Sequence, residues 1–193
     1  MSSTPVSAAA PVTTTGAAPA SAPAGLDALL YEHRQAVQHF VGRAAAVAPD
    51  RWHVPRGEGK WTPAQESRHI VLTYRALVGD LRGERKMRLK GTPLRRRLWR
   101  LVGLTWIRVR RRIIRPVRAP AEVRPDAETA SAETLLRELH DAVAEFESVL
   151  ADTWARSPGR TVTHPYFGEL GLRDAVLLCV THTRHHAAFL PGA

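Results

Sequence analysis

The sequence predicts an all-α protein: a bundle of four long helices with an additional basic helix inserted between the second and third. Three observations predict it. Apolar residues recur at the three- and four-residue steps of a helix through four long segments. No run of alternating apolar and polar residues bounded by turn signals is found. The best-marked element start in the chain, Thr62-Pro63-Ala64-Gln65, is that of a helix.

The first helix is expected from about Asp27 to Val47, with Leu26, Leu29, Leu30, Val37, Phe40, Val41 and Ala44 on one face and Pro49 as its stop. A loop holding Trp52, Pro55 and two glycines leads to Lys60. In the second helix Thr62 is the N-cap, Pro63 suits the first helical position and Gln65 closes a capping box. Its apolar stripe is Ile70, Val71 or Leu72, Tyr74, Leu77 and Val78, ending near Leu81. In the insert, Leu94, Leu98, Leu101, Val102, Val109 and Ile113 recur at helical spacing with arginines between them. A helix is expected there from about Arg95 to Ile114, broken at Pro116, followed by an extended linker through Pro120 and Pro125. Ser131 caps the next helix, which runs to about Trp154 with Leu135, Leu136, Leu139, Val143, Phe146 and Leu150 inward. Residues 157–171 are expected to form a loop, and the last helix runs to Leu190, ended by Pro191.

Composition sets limits on function. Residues 1–25 are Ala, Ser, Thr, Pro, Val and Gly after Met1, with no aromatic and no charged side chain. Such a stretch buries too little apolar surface to offset its chain entropy and is expected to be a disordered tail. It has neither the basic start nor the continuous apolar run of a secretory signal. Residues 26–193, about 168, are enough for a core of their own. The single cysteine, Cys179, excludes an internal disulfide framework and suits a reducing cytoplasm. No apolar run of membrane-spanning length is present. The net charge of +10 is uneven: residues 82–118 hold fifteen Lys or Arg against one acid, Glu84, so the insert carries +14 and the remainder −4.

The chemistry-bearing cluster is His182-Thr183-Arg184-His185-His186 on the last helix. Residues four apart stack on one helix face, so His182 and His186 point at a common spot while His185 lies on another face. With nine histidines in the chain, chance alone supplies about 0.4 such pairs, so the spacing needs context. A third imidazole from another helix, best His69, would complete a three-histidine metal site with an open position, as in reactive metal centres. Three imidazoles suit Zn²⁺, Ni²⁺ or Fe²⁺ and discriminate poorly among them.

The order of these pieces resembles the DinB-like superfamily of four-helix bundles, grouped with YfiT-like and mycothiol-dependent maleylpyruvate isomerase proteins. Two stretches carry the resemblance. Lys60-Trp61-Thr62-Pro63-Ala64-Gln65-Glu66-Ser67-Arg68-His69-Ile70 is similar to the family's Trp-Ser/Thr-Pro opening of helix two, with a histidine eight residues after the Trp. His164-Pro165-Tyr166-Phe167-Gly168 through His186 resembles its final loop and helix, and Arg118-Ala119-Pro120 resembles a segment of a family subset. The resemblance spans residues 26–191. It implies that His69, His182 and His186 bind one divalent metal, and that the metal activates a low-molecular-weight thiol for transfer or isomerisation. Two positions depart from the family pattern: Gln65 stands where an acid is frequent, and Phe189 where Gln is frequent.

Other candidates carry two readings each. Glu66, three residues before His69, is either a solvated charge or a hydrogen-bond partner behind a ligand histidine. Cys179 shares the face of His182 and His186, as a fourth ligand or neighbouring thiol, or as a small buried hydrophobe. His164 lines the pocket mouth or packs its loop. Trp52 and Trp61 cover the bundle end. The insert either packs its Leu/Val/Trp face on the bundle or contacts an anionic membrane surface or polyanion.

The expected function is therefore a metal-dependent, thiol-using S-transferase or isomerase. The alternative is a non-catalytic metal- or ligand-binding module whose basic helix docks on a membrane or nucleic acid. A small-molecule substrate and a homodimer are the remaining expected partners. The arginine-to-lysine ratio, 25 to 3, makes mycothiol the first thiol to try.

Overall fold

The structure is a computed structural model and describes residues 26–113, 117–127 and 130–191. The expected tail at 1–25 and the break at Pro116 lie outside them. Helix α1 is Leu26–Ala45, followed by a 3-10 turn at Pro49–Arg51. Helix α2, Pro63–Leu81, opens with the full capping box: Gln65 N–H donates to Thr62 Oγ1 at 3.1 Å, and Thr62 N–H donates to Gln65 Oε1 at 3.0 Å. Then come α3 (Pro93–Trp99), a π-helical turn (Arg100–Leu104), α4 (Thr105–Arg110) and a 3-10 turn at Ala121–Val123. Helix α5, Ala132–Arg156, is capped by Ser131, and strands β1 (Thr161–His164) and β2 (Gly168–Gly171) lead into α6 (Leu172–Ala187).

Helices α1, α2, α5 and α6 form the four-helix bundle. Helix α1 packs chiefly on α6, and α2 chiefly on α5. Each presents one apolar stripe inward, because residues three and four apart share a face. Phe40, Ile70, Val71, Tyr74, Leu135, Leu139, Phe146 and Val176 are all essentially sealed from solvent. Full burial of each such aliphatic or aromatic side chain contributes about 1.5–3 kcal/mol. Position 71, not 72, takes the buried place in α2.

The core also holds a polar chain that touches every helix of the bundle. His33 of α1 contacts Glu147 of α5 through Nδ1 at 3.0 Å and the Tyr74 hydroxyl of α2 through Nε2 at 2.8 Å. That hydroxyl lies 3.1 Å from Thr183 Oγ1 of α6. With a neutral imidazole one pattern satisfies all four groups. His33 Nδ1–H donates to Glu147, Tyr74 O–H donates to Nε2, and the Thr183 hydroxyl donates to the Tyr74 oxygen. Burial holds the Tyr74 hydroxyl well above its ordinary pKa, so it remains a donor.

The insert differs from its expected form. It begins at Pro93, passes through the π turn and ends at Arg110, where Arg111 adopts a left-handed φ of 52°. Leu94, Leu98, Leu101, Val102 and Val109 face outward, while Leu104 and Ile107 are buried. Periodicity reports an apolar stripe without saying what covers it, and this helix has two. The π turn adds a residue to one turn and so moves Gly103, Leu104 and Ile107 onto the inner side. Gly103 permits the close approach, since a Cβ there would stand 3.0 Å from the Phe167 ring and 3.2 Å from Trp99.

Residues 157–171, expected as a loop, contain an antiparallel hairpin pairing Thr161 with Gly171 and His164 with Gly168. Its strands are four residues long, too short for alternation to stand out from chance. Gly168, at φ 75°, supplies the left-handed residue that closes the three-residue connection. The linker between insert and α5 is not wholly extended, for it contains the Ala121–Val123 turn.

Burial alone would raise the Glu147 carboxyl. Hydrogen bonds from His33 and Arg34, with the Arg34 charge, outweigh it and hold the group below the ordinary carboxylate value. A depressed carboxyl contributes stability above its unfolded pKa and loses it as pH falls through the folded value. Glu147→Gln is therefore expected to cost about 1–2 kcal/mol at pH 7, discounted for the exposed Arg34. That deficit should shrink as pH drops below the ordinary 4.5. Thermal melts of both proteins from pH 7 to pH 3 test this, and equal melting temperatures at pH 7 would refute it.

Candidate metal centre

His69 on α2 and His182 and His186 on α6 meet at one end of the bundle core. Their Nε2 atoms converge. His182 Nε2 lies 3.2 Å from that of His69 and 3.1 Å from that of His186. One nitrogen from each of the three lies within 4.8 Å of the others. Helical stacking explains the 182–186 pair, and the capped start of α2 sets the rotation that delivers His69.

The opposite ring nitrogens determine which atoms carry protons. His69 Nδ1 is 2.6 Å from the Val123 carbonyl, which can only accept, so Nδ1 holds the proton and Nε2 the lone pair. His186 Nδ1 lies 2.6 Å from Glu66 Oε2, and with the carboxyl ionised it accepts the Nδ1 proton in the same way. Two Nε2 lone pairs thus face His182, whose single Nε2 proton satisfies at most one of them. Hydrogen bonding alone leaves this cluster short of protons. A cation held there would supply what is missing. Tetrahedral nitrogens about 2.0–2.1 Å from a metal lie about 3.3–3.4 Å apart, close to the two observed spacings. The donor set therefore fits a divalent metal.

Electrostatics agree. Burial lowers the pKa of His69, and lowers those of His182 and His186 well below the ordinary value, with the neighbouring imidazoles adding to the shift. All three are neutral, the form a metal requires. Burial pushes the Glu66 carboxyl up to about 7, against the opposing pull of Arg56.

The cluster opens into a cavity of about 720 Å³. Trp61 packs its ring 4.9 Å from His69 and stacks over His186 at 6.1 Å. It is thus a wall of the site as well as a cover for the bundle end, whereas Trp52 is buried and donates to the Ala130 carbonyl at 2.9 Å. Phe189 forms another wall, with the Arg56 guanidinium 3.8 Å from its ring centre. The inner side of the insert, at Trp99, Gly103 and Ile107, forms a further wall of the cavity. The hairpin is held in place by Asp80, whose Oδ2 accepts from Thr163 N–H at 2.6 Å. Arg56, Lys60, Arg95, Arg118 and Arg124 reach the lining, and Glu66 is the single acid among its described residues.

The other sequence candidates divide. Cys179 lines the cavity but falls outside the convergent donor set, and burial pushes its thiol up to about 12. His164 lines the cavity as well, yet its Nδ1 accepts from the Tyr166 and Phe167 amides at 3.3 and 3.2 Å, and burial pushes its pKa down to about 3. It therefore packs its own loop while also facing the cavity. His185 is neither fully exposed nor a member of the donor set: half-buried at the rim, its ring meets Phe189 edge-on at 4.5 Å. Gln65, at the position where the family frequently has an acid, serves the cap and donates to the Asp126 carbonyl at 3.2 Å. Sequence reasoning missed Val123, which acts through its backbone carbonyl. A backbone acceptor leaves no trace in residue identity.

These features define a four-helix-bundle protein with a three-histidine cluster facing a cavity. The chain belongs to the DinB superfamily, whose family model matches residues 29–190. Its fold is similar to TT2238, described as a four-helix bundle protein, at 22% identity and a TM-score of 0.54, covering 84% of this chain and 94% of that one. It is also similar to the mycothiol-dependent maleylpyruvate isomerase, at 15% identity and a TM-score of 0.58. That match covers 87% of this chain, which spans only 61% of the isomerase. A histidine-to-alanine mutant of the same enzyme matches at 14% identity with the same TM-score and coverage. No curated protein sequence matches.

A thiol raised from 9.0 to about 12 has roughly a thousandfold less thiolate at any pH below both values. Cys179 in the native chain is thus expected to resist a thiol-specific disulfide reagent at pH 8 and to react promptly once the chain is unfolded. Comparable rates in both states would contradict its placement.

Proposed function

We propose that this protein is a divalent-metal-dependent enzyme that uses a low-molecular-weight thiol in a transfer or isomerisation reaction, with His69, His182 and His186 holding the metal. The observation that carries this reading is the convergence of three Nε2 atoms, with too few protons to pair them all, at the wall of a cavity of about 720 Å³. A divalent metal held there supplies Lewis acidity, which makes a thiol or a water more acidic.

The chain's own groups account for the rest. The Val123 carbonyl and Glu66 carboxylate keep the ring protons on the outward nitrogens, so the inward ones are available as ligands. Trp61, Phe189 and the inner face of the insert line the space in front of the cluster. The cations Lys60, Arg95, Arg118 and Arg124 favour an anionic substrate, such as a carboxylate. The chain's one cysteine is buried and protonated, so the reactive thiol has to come from a second substrate. The related isomerase is, by its name, mycothiol-dependent, which makes mycothiol the first thiol to test.

Elemental analysis is expected to find about one equivalent of divalent metal per chain and almost none in His182→Ala. Zero metal in both, or equal content in both, would end the reading. Glu66→Gln keeps the side-chain shape but loses the charge behind His186, and should weaken metal binding about 10–100-fold in a chelator competition. Conjugation or isomerisation screens with mycothiol, bacillithiol and glutathione should give turnover that disappears in His182→Ala. Metal binding with silence for all three thiols would leave the non-catalytic binding module as the better account.

A further inference from the structure

The helical stretch Pro93–Arg110 is apolar on two sides, and only the inner one is covered. On the outer side Leu94, Leu98, Leu101, Val102 and Val109 are 78, 59, 69, 55 and 71% exposed. Single exposed leucines need no explanation, but these recur at helical steps along about 25 Å of one helix face. Arginines border the stripe. Arg97, Arg100, Arg110 and Arg112 make no ion pair among the described residues, and Arg110 stands 5.5 Å from the half-exposed Trp106 ring.

We propose that this face docks on an anionic lipid bilayer, with the leucines and valines entering the headgroup–acyl boundary and the arginines meeting lipid phosphates. Charge discriminates among the occupants that would bury the stripe. A second copy of the chain would set one arginine-rich face against another. Residues 1–25 contain no acid to complement the arginines. A nucleic acid would pair with the arginines but leave the leucines in water. A bilayer with anionic headgroups satisfies both kinds of side chain. No helix among the described residues is long and apolar enough to cross a membrane, so the attachment is peripheral. The inner side of the same helix lines the cavity, so docking sets one wall of the cavity beside the lipid surface. This proposal does not depend on the metal.

The test is co-sedimentation of the full chain with vesicles of phosphatidylcholine, alone or with phosphatidylglycerol. Partition should be about tenfold or more stronger with phosphatidylglycerol and should weaken as salt is raised. The double variant Leu98→Glu, Leu101→Glu should lose about tenfold or more of that binding. Its melting temperature should stay unchanged, because both side chains already face solvent. Three results would overturn the proposal. One is no preference for phosphatidylglycerol. Another is undiminished binding by the double variant, which would reduce the effect to general attraction of a +10 chain. The third is a wild-type dimer that the double variant converts to monomer, which would make the stripe a contact between copies.

Discussion

Three imidazoles can share one buried corner only if their ring protons are drawn away from it, and much of this structure serves that requirement. An unsatisfied polar group in such a place costs about 1–3 kcal/mol. The Val123 carbonyl and the Glu66 carboxylate each take one proton on the outer side. The first acceptor exists only because the chain between insert and bundle folds into a 3-10 turn against α2. The second exists because α2 starts where it does: three residues separate Glu66 from His69, nearly one turn, so both project toward α6. Cap, turn and histidines are one arrangement, and a change in any of them would leave a buried nitrogen unpaired.

The relative rotation of α2 and α6 has to be right for that convergence, and the polar chain through the core supplies a reference. Tyr74 lies five residues beyond His69 on α2, and Thr183 is next to His182 on α6. Their hydroxyls meet, and His33 and Glu147 extend the contact to α1 and α5. Apolar packing alone tolerates small rotations of helices against one another. A directional chain with one partner on each helix does not, because any slip breaks a hydrogen bond in a region of low dielectric. The same core that supplies apolar stability thereby also holds the register of the site.

The basic insert links that site to the outside. Its inner face, brought close by Gly103 against Phe167, forms one wall of the cavity beside the histidines. The bidentate pair of Arg108 with Asp174, at 2.9 and 2.6 Å, ties α4 to the start of α6. The insert's arginines thus divide between tying the segment to the bundle and remaining available on its outer face.

Much of the fold was legible in sequence because helices are local objects. Thr62, Pro63 and Gln65 determine a helix start through contacts within one turn. The stripes of α1, α2 and α5 identify their buried faces through a period of 3.6. The pairing of His182 with His186 follows from the same geometry. What the local pattern does not contain is the identity of the neighbour. It showed an apolar stripe on the insert but not that this stripe would face solvent, because a two-faced helix has the same period whichever side is covered. It named His69, His182 and His186 by spacing and family resemblance. Their convergence to 3.1–3.2 Å depends on how α2 and α6 pack. His33 was one histidine among nine until tertiary packing set it between Tyr74 and Glu147. Val123 contributes a carbonyl that any residue would carry. By itself, then, the sequence determined which helices form and which side chains each can present. Which atoms meet was decided by tertiary packing, because a contact between nitrogens more than a hundred residues apart depends on long-range packing that no local period encodes.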